Sequence, residues 1–431
     1  MSTRLYEFGS LCLDADARTL TDEGRLVALT PMAVDTLRVL VENSGRVVTR
    51  DHLLDTVWRG RSVEDGVLSV NIALLRNALQ DAGLPRNAIE TVPRRGYRFR
   101  WNVRLAPTSA SDRSSAMPAA RRLYLEGRHY WSQRTDTALM KAAGCFERAA
   151  ALDPDYAPAY AGLADTYLGV GALAPREAMP RAKAAALRAI ALDATLGEAY
   201  ASLGRVCMAF EWNWAAARNA FIKAIELSPS YITAHQWFAN WLAATGRTGD
   251  AVLRIRHAQE IDPVSLHVST GVGFLLYMSR RFGEAVVEYQ RVIDMDPWFA
   301  PARRELCMAL GQLGRHREAL DAIAFARTLA PDSLLTAAIH AQALALAGEH
   351  AAARHELDGL MPRAGDSHLL PQFIAATLVA LGREDEGLTW LRVALDVRCY
   401  TMIWLGVDPW FDIVRGDEKF RIILESVGLR S

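Results

Sequence analysis

The chain has little lysine and no net charge, and each shortage narrows what it can be. Of its 431 residues, 49 are Lys or Arg and 49 are Asp or Glu, and only four of the cations are lysines. Zero net charge gives the whole chain no pull toward nucleic acid or a membrane surface, so any such binding must come from a local cluster. Because 51% of the residues are hydrophobic, a large core is expected and global disorder is excluded.

Cysteine and long apolar runs are also scarce. The five cysteines are scattered and never form a CxxC pair, which is typical of reduced thiols in the cytosol and argues against a disulfide framework. Each is predicted to be a small buried hydrophobe. No stretch reaches about 18 apolar residues, and the opening MSTRLYEFGS lacks the apolar core of a signal peptide. We therefore expect a cytoplasmic protein with no membrane contact.

Patterns that carry catalysis are weak. His350 and the pair His355-Glu356 lack the HExxH spacing of a zinc protease. The stretch 271–273 (GVG) falls in a predicted helix rather than after a strand, and there is no phosphate-binding P-loop. The sequence therefore predicts neither an enzyme nor a cofactor or metal site.

What the chain does have is a period. Pro229, Pro263, Pro297 and Pro331 stand 34 residues apart, and the last three each follow an alanine by twelve residues. The spacing resembles the tetratricopeptide (TPR) pattern, in which each repeat is a helix–turn–helix unit. Such units cannot bury their apolar faces alone, so they stack into a solenoid. The pattern predicts about eight repeats over residues 119–396, followed by a capping segment at 397–431.

The first 105 residues lack this period and predict a separate α+β domain. Short strands around the turn signal Asp22-Glu23-Gly24 come first, and three helices follow, the last at about 64–81. Two further strands flank a basic hairpin turn at 93–96, PRRG. The Ser/Pro-rich stretch 106–118 reads as a linker. The predicted fold is therefore mainly α, with an α+β domain before an all-α solenoid.

This domain resembles the winged-helix DNA-binding domain of OmpR-type response regulators. It is closer still to the ToxR and CadC branch, which lacks a receiver domain. The resemblance covers residues 5–103 and is carried by four stretches: LTP at 29–31, GRVVTR at 45–50, VNI with LRNAL at 70–72 and 75–79, and TVPRRGYRF at 91–99. It departs from the family at Leu74, where a basic residue is common, and at Pro93, which replaces an arginine.

The resemblance implies double-stranded DNA as partner. The third helix would lie in the major groove, with Leu68, Ile72, Leu75 and Leu79 facing inward, and the basic wing would contact the minor groove or phosphates. From Arg86 to Arg104 there are six arginines against the single acid Glu90. The predicted DNA-binding residues are Thr49, Arg50, Arg61, Ser69, Asn71, Ala73, Arg76, Asn77, Arg94 and Arg95. In the family, the loop that corresponds to Arg59–Val63 can contact RNA polymerase.

Two functions from different classes fit these patterns. The first is a cytosolic transcriptional regulator whose repeat array binds a regulatory protein or peptide. The second is an interaction scaffold in which the winged helix is a docking module; neutral charge and Leu74 favour it, whereas Arg76 and the Arg94-Arg95 pair favour the first. The inner groove of the array is predicted to be lined by Gln236, Asn240, Phe274, Tyr277, Arg304 and Met308.

Overall fold

The structure is a computed structural model. It describes residues 4–15, 18–22, 25–27, 29, 31–58, 65–93, 95–105, 119–133, 135–169 and 173–429. The chain separates into two compact units, and the second begins at Ala119.

The first unit opens with an antiparallel sheet. Strands β1 (Leu5–Phe8), β2 (Leu11–Asp14), β3 (Thr19–Asp22) and β4 (Arg25–Leu26) form consecutive antiparallel pairs. The last strand of the domain, β8 (Arg104–Leu105), pairs with β1 and ties the end of the domain to its start.

Three helices and a second sheet complete this unit. Helices α1 (Pro31–Glu42), α2 (Arg50–Trp58) and α3 (Asp65–Asp81) precede the hairpin of β6 (Ile89–Val92) and β7 (Gly96–Phe99), and β5 (Val47–Val48) pairs with β7. Leu37, Leu53 and Leu75 are fully buried between the helices. The order of these elements is that of a winged helix-turn-helix, as the resemblance implied.

The second unit is an array of helical hairpins. In the described residues from 119 to 396, sixteen α-helices form eight consecutive pairs, numbered here as repeats 1 to 8. They are α4 (Ala119–Ser132) with α5 (Asp136–Leu152), α6 (Ala157–Tyr167) with α7 (Pro175–Leu192), α8 (Gly197–Val206) with α9 (Trp214–Leu227), α10 (Ile232–Ala244) with α11 (Thr248–Ile261), α12 (Leu266–Met278) with α13 (Phe282–Met295), α14 (Ala300–Gln312) with α15 (His316–Leu329), α16 (Leu334–Leu346) with α17 (His350–Leu360), and α18 (Leu370–Ala380) with α19 (Glu384–Asp396).

Small residues let the two helices of a repeat cross closely. A Cβ added to Gly204 of repeat 3 would lie 2.7 Å from the ring of Phe221, and one added to Gly273 of repeat 5 would lie 2.4 Å from the ring of Tyr289. Phe221 and Tyr289 are themselves almost fully buried. Interiors are close-packed, so a large side chain on one helix requires a small one on the other.

The turn between the two helices of a repeat uses a left-handed residue. From repeat 3 to repeat 8 it recurs every 34 residues, at Trp212, Gly246, Arg280, Gly314, Gly348 and Gly382, with φ between 54° and 84°. Four of these six positions hold glycine, which adopts a positive φ without steric cost. The other two hold a large side chain.

Residues 397–429, called here the C-terminal segment, depart from the repeat. Two 3₁₀ turns, Tyr400–Trp404 and Pro409–Val414, lead to a last helix, α20 (Glu418–Ser426). The segment touches repeat 8, where the rings of Trp410 and Phe373 are 5.2 Å apart. It also extends well beyond that repeat, to repeats 3 and 5.

Candidate nucleic-acid interface

Helix α3 divides into a buried side and an exposed side. Leu68, Ile72, Leu75 and Leu79 are at most 1% exposed and pack into the core, as predicted. Ser69, Ala73 and Asn77 are exposed and follow one another at four-residue spacing. Residues four apart lie on one face of a helix, so these three form a single outward stripe of small and polar side chains.

Asn71 lies on the other side. Its side chain was predicted on or beside the outer face, but it is only 3% exposed. The reason is its position, three residues after Leu68 and four before Leu75, which turns it toward the core side of the helix. The expectation that Asn71 reads a base edge is therefore not supported by this placement.

Arg76 holds the helix against the wing. Its Nε and Nη2 donate to the carbonyl oxygen of Ile89 at 2.9 and 2.8 Å, and Nη2 also donates to Oγ1 of Thr91 at 2.7 Å. Ile89 and Thr91 belong to β6, so the side chain joins the predicted reading helix to the wing strand. Hydrogen bonds from a charged donor are stronger than neutral ones. Arg76 thus fixes the relative position of the two elements that the family applies to DNA.

The start of α2 is capped as the sequence indicated. Oγ1 of Thr49 accepts a hydrogen bond from the backbone N–H of His52 at 3.2 Å. The next residue, Arg50, reaches Oγ of Ser69 on α3 at 3.4 Å. A capping threonine, the first-turn amides and an adjacent guanidinium form the kind of helix N-terminus that can receive a phosphate.

The wing depends on one glycine. Gly96 has φ of +136°, and an added Cβ would lie 2.0 Å from the carbonyl oxygen of Val48. Here the hairpin crosses β5 so closely that no side chain fits. The backbone N–H of Arg95 donates to the carbonyl of Val92 at 3.0 Å and closes the turn, which leaves the Arg95 side chain exposed.

The wing is less positive than its arginine count suggests. Nη2 of Arg98 lies 2.7 Å from Glu90, and Nη1 of Arg100 lies 3.7 Å from the same carboxylate. Glu90 therefore offsets charge at the base of the hairpin, while Arg95 extends from its tip. Arg61 and Arg94, the polymerase loop 59–63 and the linker 106–118 lie outside the described residues.

The predicted partner groove is a second candidate surface. Gln236, Asn240, Arg304 and Met308 are partly exposed on the first helices of repeats 4 and 6. We call the surface made by the first helices of repeats 3 to 8 the first-helix face. The predicted repeat starts at Ile232, Leu266 and Ala300 coincide with the first residues of α10, α12 and α14.

Two of the predicted groove residues are not available there. Tyr277 is fully buried, with its ring centroid 5.4 Å from that of Phe282, so the prediction that it lines the groove is wrong. Phe274 is half-buried because Trp404 of the C-terminal segment packs edge-on against it, with ring centroids 4.9 Å apart. The residues that the sequence reasoning missed are Trp212 and Arg280, whose signal was a large side chain at a 34-residue glycine position.

The thiols behave as predicted. Cys145, Cys207, Cys307 and Cys399 are buried, Cys12 is partly so, and all five are free. Burial raises the pKa of Cys207 and Cys399 to about 11, which keeps both protonated and unreactive. The described residues contain no cluster of His, Cys, Asp and Glu able to hold a metal ion, and among them no helix is long and apolar enough to cross a membrane.

Comparisons with known proteins agree with this reading of the first unit. Residues 24–99 match a family model described as "Transcriptional regulatory protein, C terminal". Over 100 residues the chain is 31% identical to the transcriptional activator CadC of Escherichia coli, a match that covers 23% of this chain and 20% of CadC. Over 97 residues it is 38% identical to the response regulator ArlR of Staphylococcus epidermidis, covering 22% of this chain and 44% of ArlR. The chain thus spans less than half the length of either relative.

The helical unit is similar to solved TPR structures. One is YrrB, whose title describes a TPR protein with an unusual peptide-binding site. The match has 21% identity and a TM-score of 0.31, and covers 45% of this chain and 96% of that one. The chain therefore combines an OmpR-type winged-helix domain, of the kind that transcriptional regulators use to bind DNA, with TPR-type helical repeats.

Proposed function

We propose that this protein is a transcriptional regulator whose helix α3 enters the major groove of promoter DNA while the wing contacts the minor groove or phosphates. The observation that carries the proposal is the stripe of Ser69, Ala73 and Asn77, exposed on a 17-residue helix that Arg76 fixes to the wing. A helix of this kind fits the major groove, and side chains on its outer stripe reach base edges.

In this proposal the contacts divide by role. Asn77 and Ser69 carry base readout, because amides and hydroxyls can pair with base edges. Arg50, Thr49 and Arg95 contact phosphates, because a helix N-terminus and an exposed guanidinium provide charge without reading sequence. Arg61, Arg94 and a contact between the 59–63 loop and RNA polymerase are proposed on the family resemblance alone.

The test is selection of bound duplexes from a randomised pool with the full-length protein. We expect an enriched sequence for the parent and an altered preference for Asn77→Ala. Asp321→Asn, on the exposed surface of the array, serves as the matched control and should select the same sequence as the parent. A folded parent protein that enriches no sequence would contradict the proposal.

We also propose that the array binds a protein or peptide that sets the activity of the winged helix. Repeat solenoids offer long surfaces built from successive repeats, which suit extended peptides and helices. Gln236, Asn240, Arg304 and Met308 offer such a partner amide, cationic and thioether contacts. Arg304→Glu should abolish regulation of a target promoter in cells and leave DNA binding in vitro unchanged; regulation that survives in a folded variant would remove this face from the mechanism.

A further inference from the structure

The C-terminal segment lies on the face of the array where the partner is proposed to bind. Trp404 packs on Phe274 of repeat 5, and Oγ1 of Thr401 donates to Oε1 of Gln372 of repeat 8 at 2.6 Å. Ile403 is fully buried and Trp404 is 6% exposed. The segment is therefore seated against the array along much of its length.

The array holds this segment with side chains placed at strained backbone positions. Of the non-glycine residues with positive φ in the described part of the chain, Arg18 lies in the first unit, and Trp212, Arg280 and Arg398 lie in the second. Trp212 and Arg280 occupy the turn position that holds glycine in repeats 4, 6, 7 and 8. A left-handed conformation is unfavourable for a residue with a Cβ, so it persists where other contacts over-determine it.

The contacts of these three residues all join the array to the segment. Nη1 of Arg398 donates to the carbonyl of Phe210 at 2.7 Å, and its guanidinium lies 4.1 Å from the ring centroid of Trp212. Arg280 donates to the carbonyl of Val407, and its Nη2 lies 2.7 Å from Oδ1 of Asp412. Strain at positions that are glycine elsewhere in the array thus coincides with the two anchors of the segment.

Part of this grip does not depend on the sequence of the segment. Besides the Arg280 contact to the Val407 carbonyl, Nε1 of Trp214 donates to the carbonyl of Val427 at 2.8 Å. Side chains that capture main-chain carbonyls recognise an extended chain as a chain, and pockets for its side chains then add specificity. The Trp404 contact on Phe274 is such a pocket. A second peptide with an aromatic anchor could use the same contacts.

We propose that residues 397–429 are a built-in ligand of the first-helix face, and that a peptide partner with an aromatic anchor gains this face by replacing them. The proposal deepens the partner role given above and rests on it. It makes the array a module with an internal competitor, so that partner binding is coupled to release of the segment.

The first experiment removes the two strained anchors from the full-length protein. Trp212→Gly together with Arg280→Gly places at each turn the residue that the other repeats already have, so the helical hairpins should keep their fold. Arg281→Ala is the matched control, because Arg281 pairs with Glu284 of its own helix and not with the segment. Hydrogen exchange followed peptide by peptide is the measurement.

We expect amide exchange in residues 397–429 to accelerate by about tenfold or more in the double variant, with repeats 3 to 8 as protected as in the parent and in Arg281→Ala. Unchanged protection of the segment would overturn the proposal. Loss of protection across the repeats together with the segment would overturn it too, since the segment would then be part of the core and not a ligand.

A second experiment tests replacement. The probe is a fluorescently labelled synthetic peptide of residues 397–429, added to full-length Trp404→Ala/Asp412→Ala, in which the segment has lost its own anchors and the array is intact. Anisotropy should show saturable binding at least about tenfold tighter to this variant than to the parent protein. Equal binding to both, or none to a variant with native helical content, would refute replacement. Neither readout uses DNA, so failure of the DNA-binding proposal would be seen separately.

Discussion

The wing and the repeat turns both use left-handed backbone, but for different reasons. At Gly96 an added Cβ would lie 2.0 Å from a backbone oxygen, whereas at Gly246, Gly314 and Gly348 it would meet nothing within 4 Å. The wing glycine is required by packing, and the repeat glycines are required only by φ. A position limited by φ alone can be given to another side chain at modest cost, and Trp212 and Arg280 show that the array has done so.

The largest effect is expected from replacing the wing glycine. Gly96→Ala should push β7 away from β5 and destabilise the first unit by more than about 4 kcal/mol, a size typical of severe steric clashes. DNA binding should be lost with it. Thermal unfolding of the full-length protein, followed by calorimetry, should show the first unit melting earlier while the array is unaffected. A parent-like first transition would show that the hairpin tolerates a Cβ.

The next effect concerns a buried carboxyl of the C-terminal segment. Asp408 is 4% exposed, and burial raises its pKa to about 7, although its Oδ1 accepts the N–H of Trp410 at 3.0 Å. Between its ordinary pKa, near 4, and about 7 the folded state binds more protons than the unfolded state, so stability falls as pH rises through this window.

Asp408→Asn keeps an oxygen for the Trp410 N–H and removes the charge. It should raise the free energy of unfolding of the array by roughly 2–3 kcal/mol at pH 8 and flatten the fall between about pH 4 and pH 7. Some slope should persist, because burial also raises the pKa of Glu305 to about 7. Denaturant unfolding at several pH values checks this, with Asp321→Asn as the exposed control. A variant less stable than the parent at pH 8 would contradict the account.

A smaller effect separates two neighbours on α3. Arg76→Ala removes three hydrogen bonds to β6 and should destabilise the first unit by about 1–3 kcal/mol, with DNA affinity falling similarly for all sequences. Asn77→Ala should leave stability unchanged and alter preference at one base position, by about 1–3 kcal/mol of discrimination. Melting curves and binding to single-base variants of a selected site distinguish the two. An Arg76→Ala protein of parental stability with a changed base preference would reverse these roles.

The smallest effect is expected at an open repeat turn. Gly246→Ala keeps φ positive with no clash and should cost about 1–2 kcal/mol. Its effect on the unfolding of the array is the direct counterpart of Gly96→Ala in the wing. If the two substitutions cost the same, the distinction between a packing requirement and a conformational one is wrong.

The sequence predicted the elements well because their signals are local. The 34-residue period placed the starts of α10, α12 and α14, and the wing signature placed β6 at Ile89–Val92. It could not place side chains whose environment is set by distant residues. Arg76 reads as an exposed helical arginine until the carbonyl of Ile89 is seen beside it, and Asn71 reads as polar although its helical phase turns it inward.

The C-terminal segment shows the same limit on a larger scale. Its aromatic residues, such as Trp404 and Trp410, predict burial but not what buries them. Having no period, it could be predicted only as a cap on the last repeat, whereas contacts to Phe210, Phe274 and Arg280 depend on how the repeats bring residues 120 or more positions apart together. The left-handed turn position was visible in the spacing of the glycines, but its exceptions at Trp212 and Arg280 had meaning only beside the segment.

The central claim is that the exposed stripe of α3 and the wing together form a surface for duplex DNA. The most direct measurement is the affinity of the full-length protein for a selected duplex, by fluorescence anisotropy, between about 50 and about 200 mM salt. The account predicts a linear fall of log affinity with log salt, and a slope reduced by about one for Arg95→Ala, the loss of one phosphate contact. A folded protein that binds no duplex at the lowest salt, or an Arg95→Ala variant with the parental affinity and slope, would contradict it.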